Sequence, residues 1–332
     1  MRPIGLHRVA RSFPLLLAAG SMLAAPAWVG AQANPNPPPS GATPPPADTV
    51  PMWESARSSV RSTAEWLASG VDSWFGDRPF QDGGKVSDGR LSVGLLKRQD
   101  ESMALNVRFN ARFRLPNLEH NAYLYFGRDN ERELVTDTPG AFSRQQRLLT
   151  ETAANQAFFA GFGFAVHESV DFRLGFRGGL KPYAQARYRH PWELSPVDLL
   201  EFRQTVFWSL ADHLGATTAL SYDHVVSPSL VARWLTAATI TQASKKVEWS
   251  SIVGAYQSFG GQRLLSLEAL ASGESKAGLG LSDYGLQTKW EQPVYKDWLQ
   301  GEVLVGHFWP RKDPLLPRGR AWALGAALKM QF

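Results

Sequence analysis

From about residue 86 to the last residue, apolar and polar side chains alternate with a period of two. Val107, Phe109, Ala111 and Phe113 interleave with Arg108, Asn110, Arg112 and Arg114. Phe172, Leu174 and Phe176 interleave with Asp171, Arg173 and Arg177, and Ala184, Ala186 and Tyr188 with Gln185, Arg187 and Arg189. Period two is the signature of a strand with one apolar face. A dry sheet sandwich buries few full charges in mid-strand, and its strands average about five or six residues. These segments often reach ten or more, the length of about 9–11 residues tilted across a bilayer. The breaks in the pattern predict strands at 88–98, 104–114, 121–128, 157–167, 169–178, 181–190, 198–210, 214–225, 229–241, 246–259, 262–272, 281–292, 297–308 and 319–332. The expected fold is therefore all-β: a transmembrane antiparallel up-and-down β-barrel of 14 strands, or 12 if one hairpin is misread. Aromatic residues fall near strand ends, as at Tyr123, Tyr188, Trp192, Trp208, Trp249, Trp298, Trp309 and Trp322, where a membrane barrel carries its interfacial girdles.

The N-terminal part follows other periods. Trp53, Ala56, Val60, Ala64, Leu67, Val71 and Trp74 recur every three or four residues and predict an amphipathic helix over 52–76. Three placements stay open for it: a barrel plug, a docking element for a periplasmic partner, and an interfacial helix. Residues 34–51 contain eight prolines among 18 residues and read as an extended linker. Arg2, Arg8 and Arg11 precede an apolar run over 14–29 and the small-x-small triplet Ala31-Gln32-Ala33. This is the pattern of a secretory signal peptide over 1–33, cut after Ala33.

Composition then narrows the classes. The chain of 332 residues has no cysteine, which excludes a disulfide scaffold, a thiol nucleophile and a thiolate metal site. Its formal charge is +5, but the signal removes three of the 35 basic residues and none of the 30 acids, leaving +2. An exported chain without basic excess has no nucleic-acid footprint. The mean hydropathy of −0.24 is what alternating lipid-facing and lumen-facing residues give.

The last strand carries a resemblance. Trp322, Leu324, Ala326, Leu328, Met330 and Phe332 share one parity and end on phenylalanine. This resembles the C-terminal strand signal of Gram-negative outer-membrane β-barrel proteins, with porin-like architecture over about 86–332. The resemblance implies a cell outer-membrane location with a periplasmic N-terminus. It also implies contact with outer-membrane lipids and lipopolysaccharide, and an assembly signal at Phe332 read by the barrel-assembly machinery.

The inward parity gives a charge map. A basic wall comprises Arg108, Arg112, Arg114, Arg173, Arg177, Arg187, Arg189 and Arg203; an acidic wall comprises Asp223, Glu248, Glu268, Glu291 and Glu302. Opposed walls would favour polar and ionic solutes; the same charges, paired across the lumen, would shut it. The connection 128–156 is the longest. It carries Asp129, Glu131, Glu133 and Asp137, and Thr138-Pro139 predicts a helix over 139–151. Folded inward, it would form a constriction; folded outward, an exposed cap. Asp212-His213 with Ser209 is the one acid/histidine pair expected at the outer rim, and spacing alone does not make it a triad. No metal-ligand spacing or phosphate loop occurs, so no cofactor is implied. The sequence thus favours a narrow passive channel for small polar or anionic solutes. A closed scaffold barrel with an N-terminal docking segment and an outer-membrane lipid hydrolase are the alternatives.

Overall fold

The computed structural model describes residues 52–72, 85–114, 121–152, 155–275, 280–311, 313 and 315–332, within a unit running from Val50 to Phe332. The segment expected to be a signal peptide, 1–33, and the proline-rich segment 34–51 lie outside the described residues.

Among the described residues the alternating segments form fourteen strands: β1 Lys85–Arg98, β2 Ala104–Arg114, β3 Ala122–Asn130, β4 Gln156–His167, β5 Val170–Arg177, β6 Lys181–Ser195, β7 Asp198–Ser209, β8 His213–Ser227, β9 Leu230–Thr241, β10 Val247–Ser258, β11 Leu264–Glu274, β12 Asp283–Tyr295, β13 Leu299–Phe308 and β14 Ala321–Gln331. Each pairs antiparallel with its neighbour in sequence. β1 pairs with β14, Arg90 opposite Gln331 through Arg98 opposite Ala323, so the ladder closes without a free edge. The twelve-strand alternative is thereby removed. The connection expected over 191–197 shrinks to residues 196–197, because β6 continues through Pro191 and Trp192, paired with Glu201 and Leu200. Connections at the end holding both termini are short, as at 168–169, 196–197 and 228–229. The opposite end carries the long ones: 131–155, 275–282 and 309–320.

The outward parity is apolar and bare: Leu105, Phe158, Leu174 and Leu324 are 57–74% exposed. A water-soluble protein does not leave so large a contiguous apolar surface; this face is built for lipid, and the fold is a transmembrane barrel. Outward aromatic residues mark both ends, with Tyr188 and Trp192 at one and Trp208, Trp249 and Trp322 at the other. The Phe332 ring also faces outward. It stacks on Phe109 at 5.9 Å between centroids and covers Gly89, where any Cβ would overlap it.

The amphipathic segment forms α1, Met52–Asp72. Its first turns dock outside the lumen, on the rim near the termini. Val60 packs with the outward residues Leu91, Leu299 and Met330. The Arg57 Nε donates to the Gln331 carbonyl at 3.1 Å, its guanidinium lies 5.1 Å from the Trp298 ring centre, and Glu54 pairs with Lys296. Of the three placements open to this helix, the lumen plug is not the one observed; its first turns lie on the outer rim.

Candidate functional site in the barrel lumen

The site is organised by the connection between β3 and β4. Asn130 ends β3 and caps a short helix, α2, Glu131–Thr136: its Oδ1 accepts the backbone N–H groups of Arg132 and Glu133, each at 3.0 Å. Asp137, with φ 52°, closes the helix in the left-handed region. The helix expected over 139–151 does not form. The Thr138 hydroxyl, read as its N-cap, bonds to the Thr136 hydroxyl at 2.7 Å instead. Only a single 3-10 turn, Gly140–Phe142, follows, and Leu148, at φ 53°, lies outside helical geometry. Tertiary anchors override local propensity here, because the side chains are drawn to different strands. Gln146 donates to Glu302 on β13 at 3.3 Å and Arg147 to Ser272 on β11 at 2.6 Å.

These anchors turn the whole connection into the barrel. Phe142 and fully buried Leu148 join one apolar cluster with Leu96, Leu304, Phe308 and Ala323 from β1, β13 and β14, and with Ala219, Ala237, Ile252 and Leu270 from β8–β11. On the other side, fully buried Val135 packs among Tyr123, Tyr125, Phe159, Tyr183 and Phe207. The Gln185 amide donates to the carbonyls of Leu134 and Val135 at 2.7 and 2.6 Å. The connection is thus an internal crossbar packed on both sides. The tyrosines find room through glycine: a Cβ on Gly163 would overlap the Tyr123 ring and one on Gly161 the Tyr125 hydroxyl.

The four acids singled out in the 128–156 segment, and Glu151 with them, lie against the basic residues. Arg108 is 3.4 Å from Asp129, 3.6 Å from Glu133 and 3.3 Å from Glu151. Arg177 is 3.0 Å from Glu131. Asp137 lies 3.3 Å from Arg187 and 3.7 Å from Arg203, and accepts the Thr205 hydroxyl at 2.8 Å. Burial pushes the Glu133 carboxyl up to about 7, with Glu151 and Asp129 adding to the rise and Arg108 and the Arg144 N–H opposing it. Arg173 pairs with Asp171 at 3.1 Å, and Arg112 lies 4.3 Å from the Tyr123 ring centre. Arg114 and Arg189 keep the inward parity nearer the termini.

The acidic residues are paired where they stand. Glu248 meets Arg132 at 2.8 Å, Glu302 meets Lys329 at 2.6 Å and Glu291 meets Lys289 at 3.2 Å. Asp223 holds Arg233 in two hydrogen bonds, and Glu268 accepts from Tyr256 at 2.8 Å and from Gln287 at 2.5 Å. The two walls therefore do not face each other across open water. The crossbar stands between them, and each charge is largely met nearby. Glu151, Gln146 and the lumen tyrosines Tyr125 and Tyr183 escaped the sequence reading, and Tyr123, expected in an interfacial girdle, lies buried in the lumen with them. The one signal for the tyrosines was the run of inward glycines, Gly161, Gly163 and Gly175, beside them.

Between the crossbar and the ends of β9–β11 away from the termini lies a vestibule of about 730 Å³. Arg132, Arg144, Arg147, Arg177 and Lys181 line it, together with Glu131, Glu133, Asp212, Glu248 and Glu274. The Ser209, Asp212 and His213 group is not assembled as a triad. Ser209 donates to Asp212 at 3.1 Å and accepts the Asp212 N–H at 3.1 Å, closing a turn. Asp212 faces Arg177 at 3.8 Å, and His213 sits at φ 55° in that turn.

No protein-family model matches the chain, and no curated protein matches its sequence. Solved structures do resemble it. The outer membrane channel DcaP of Acinetobacter baumannii aligns with a TM-score of 0.47 and 8% identity, over 76% of this chain and 98% of that one. A loop-deletion mutant of OmpT, an outer membrane protein of Vibrio cholerae, aligns with a TM-score of 0.43 and 9% identity, over 76% and 100%. The KdgM porin in complex with disordered oligogalacturonate aligns with a TM-score of 0.35 and 6% identity, over 73% and 99%. What the chain shares with them is a closed antiparallel β-barrel.

Proposed function

We propose that the protein is an outer-membrane channel for small polar solutes, with its termini on the periplasmic side and its bore governed by the 131–155 crossbar. One observation carries this reading. A single 25-residue excursion between adjacent strands fills an otherwise charge-lined tube, and polar and ionic anchors hold much of it there. A barrel meant to stay shut could be filled by side chains of its own strands. Here the obstruction belongs to one connection, which hangs from two strand ends and is able to move as a unit. The Arg108, Arg177, Arg187 and Arg203 contacts are ion pairs whose partners can be replaced by hydration once the crossbar swings outward. The apolar contacts of Val135, Phe142 and Leu148 favour the seated position.

The test replaces residues 132–154 with a short glycine–serine linker and compares planar-bilayer conductance with that of the intact chain. The intact protein should show low conductance with brief openings. The shortened protein should show a large and steady one. A shortened, folded barrel without conductance would overturn the channel reading in favour of a closed scaffold.

A further inference from the structure

The vestibule lining contains two cations that form no ion pair among the described residues. Of the five cationic side chains lining the vestibule, Arg132 pairs with Glu248 and Asp212, Arg177 with Glu131 and Asp212, and Lys181 with Glu131. Arg144 and Arg147 have no carboxylate within ion-pair distance among the described residues. Arg144 gives Nε and Nη2 to one neutral acceptor, the Thr150 carbonyl, at 3.0 and 2.7 Å. Arg147 gives Nη2 to the Ser272 hydroxyl at 2.6 Å. A guanidinium has five N–H donors, so each keeps donors in reserve. Nearby carboxylates are committed elsewhere. Asp283 is held by two nitrogens of Arg98 at 3.0 and 3.3 Å. Glu133 takes the Arg144 backbone N–H at 2.6 Å and faces Arg108.

Two like charges three residues apart, partly removed from water and hydrogen-bonded through their side chains only to neutral oxygens, are an unfavourable arrangement by themselves. Burial, aggravated by the nearby charges of Arg144 and Arg98 and only partly offset by those of Asp283 and Glu133, pulls the Arg147 guanidinium below its ordinary value. An anion between the two would neutralise both and accept their spare N–H groups in charge-assisted hydrogen bonds. The hydroxyl of Ser272, which accepts from Arg147, lines the same vestibule and can add a donor.

We propose that Arg144 and Arg147, with Ser272, form a subsite for the anionic group, carboxylate or phosphate, of a small solute entering from the long-connection end. The subsite deepens the channel reading by naming the class of solute. It also lies on the crossbar itself, so its occupant touches the element that governs the bore.

The experiment is isothermal titration calorimetry on the full folded chain in detergent, with succinate, inorganic phosphate and uncharged glucose as separate probes. Saturable binding is expected for at least one anion and none for glucose. Succinate alone would assign carboxylated solutes, and phosphate alone phosphorylated ones. R147Q, which removes only the Ser272 contact, and R144Q/R147Q should each weaken binding at least about tenfold, while R144K/R147K keeps part of it. Absence of binding by both anions, or equal binding by R147Q and the unaltered chain, overturns the proposal. Binding is read without current. A non-conducting protein that binds would remove the channel reading alone, and a conducting one that does not bind would remove the subsite alone.

Discussion

Glu133 stands where three carboxylates converge on one guanidinium, that of Arg108. Its acidity depends on the crossbar being seated, because burial is the main cause of its rise from 4.5 to about 7. Released into water, the same group returns toward the ordinary value. The seated form therefore binds the proton more tightly. Its advantage is complete below the ordinary carboxylate value and is lost as pH climbs through about 7. The groups facing Glu133 are Arg108 on β2, Asp129 on β3, Glu151, and Arg144 and Arg147 within the crossbar. Conductance is expected to be low near pH 5 and to rise toward about pH 8. E133Q, which mimics the protonated acid, should stay low throughout. An unchanged pH profile in E133Q would place the sensor elsewhere. Gly161 invites a second substitution. G161A forces the Tyr125 hydroxyl and the Leu174 carbonyl aside and should cost about 1–3 kcal/mol, read as a lower urea midpoint in lipid vesicles. An equal midpoint would mean that the tyrosine layer yields freely. The inward direction of most charged residues was legible from parity alone. Their partners were not, because an ion pair such as Arg187 with Asp137 joins residues 50 apart in sequence.

At the scale of elements, strands were easier to read than the crossbar. Alternation is a local property, so every strand appeared in the sequence, with errors at the ends. β6 was cut short because Pro191-Trp192 resembles a turn, although Pro191, on the inward parity and past the end of the β5 ladder, has no N–H to supply there. α2 left no periodic trace in six residues; its cap, Asn130, was hidden at the end of a strand. The opposite error, a helix over 139–151, arose from a local Thr-Pro signal that long-range anchors overruled. The crossbar's position offers its own check in a chain without cysteine. A Cβ at Gly94 would lie 3.1 Å from the Gln145 amide nitrogen. G94C/Q145C joined by a short bis-maleimide should hold the crossbar seated and abolish openings. Openings that persist after cross-linking would mean that current passes beside it.

For the molecule as a whole, closure and obstruction depend on opposite ends of the chain. The ladder is complete only when β14 meets β1, and the crossbar between β3 and β4 is held by residues that come much later. Gln146 meets Glu302 across 156 positions, and Arg147 meets Ser272 across 125. Leu148 rests against Gly306 and Gly325, whose missing side chains leave space for it. None of these seats exists while only the early strands are in place. Such distant contacts are made late, since chain-closure entropy must be met before they return anything. The stopper cannot be fitted before the vessel is finished, so a seated crossbar is a certificate of completed assembly. A barrel stalled without its last strands would lack its closing seam and its stopper together, and permeability damage would be concentrated in that unfinished population.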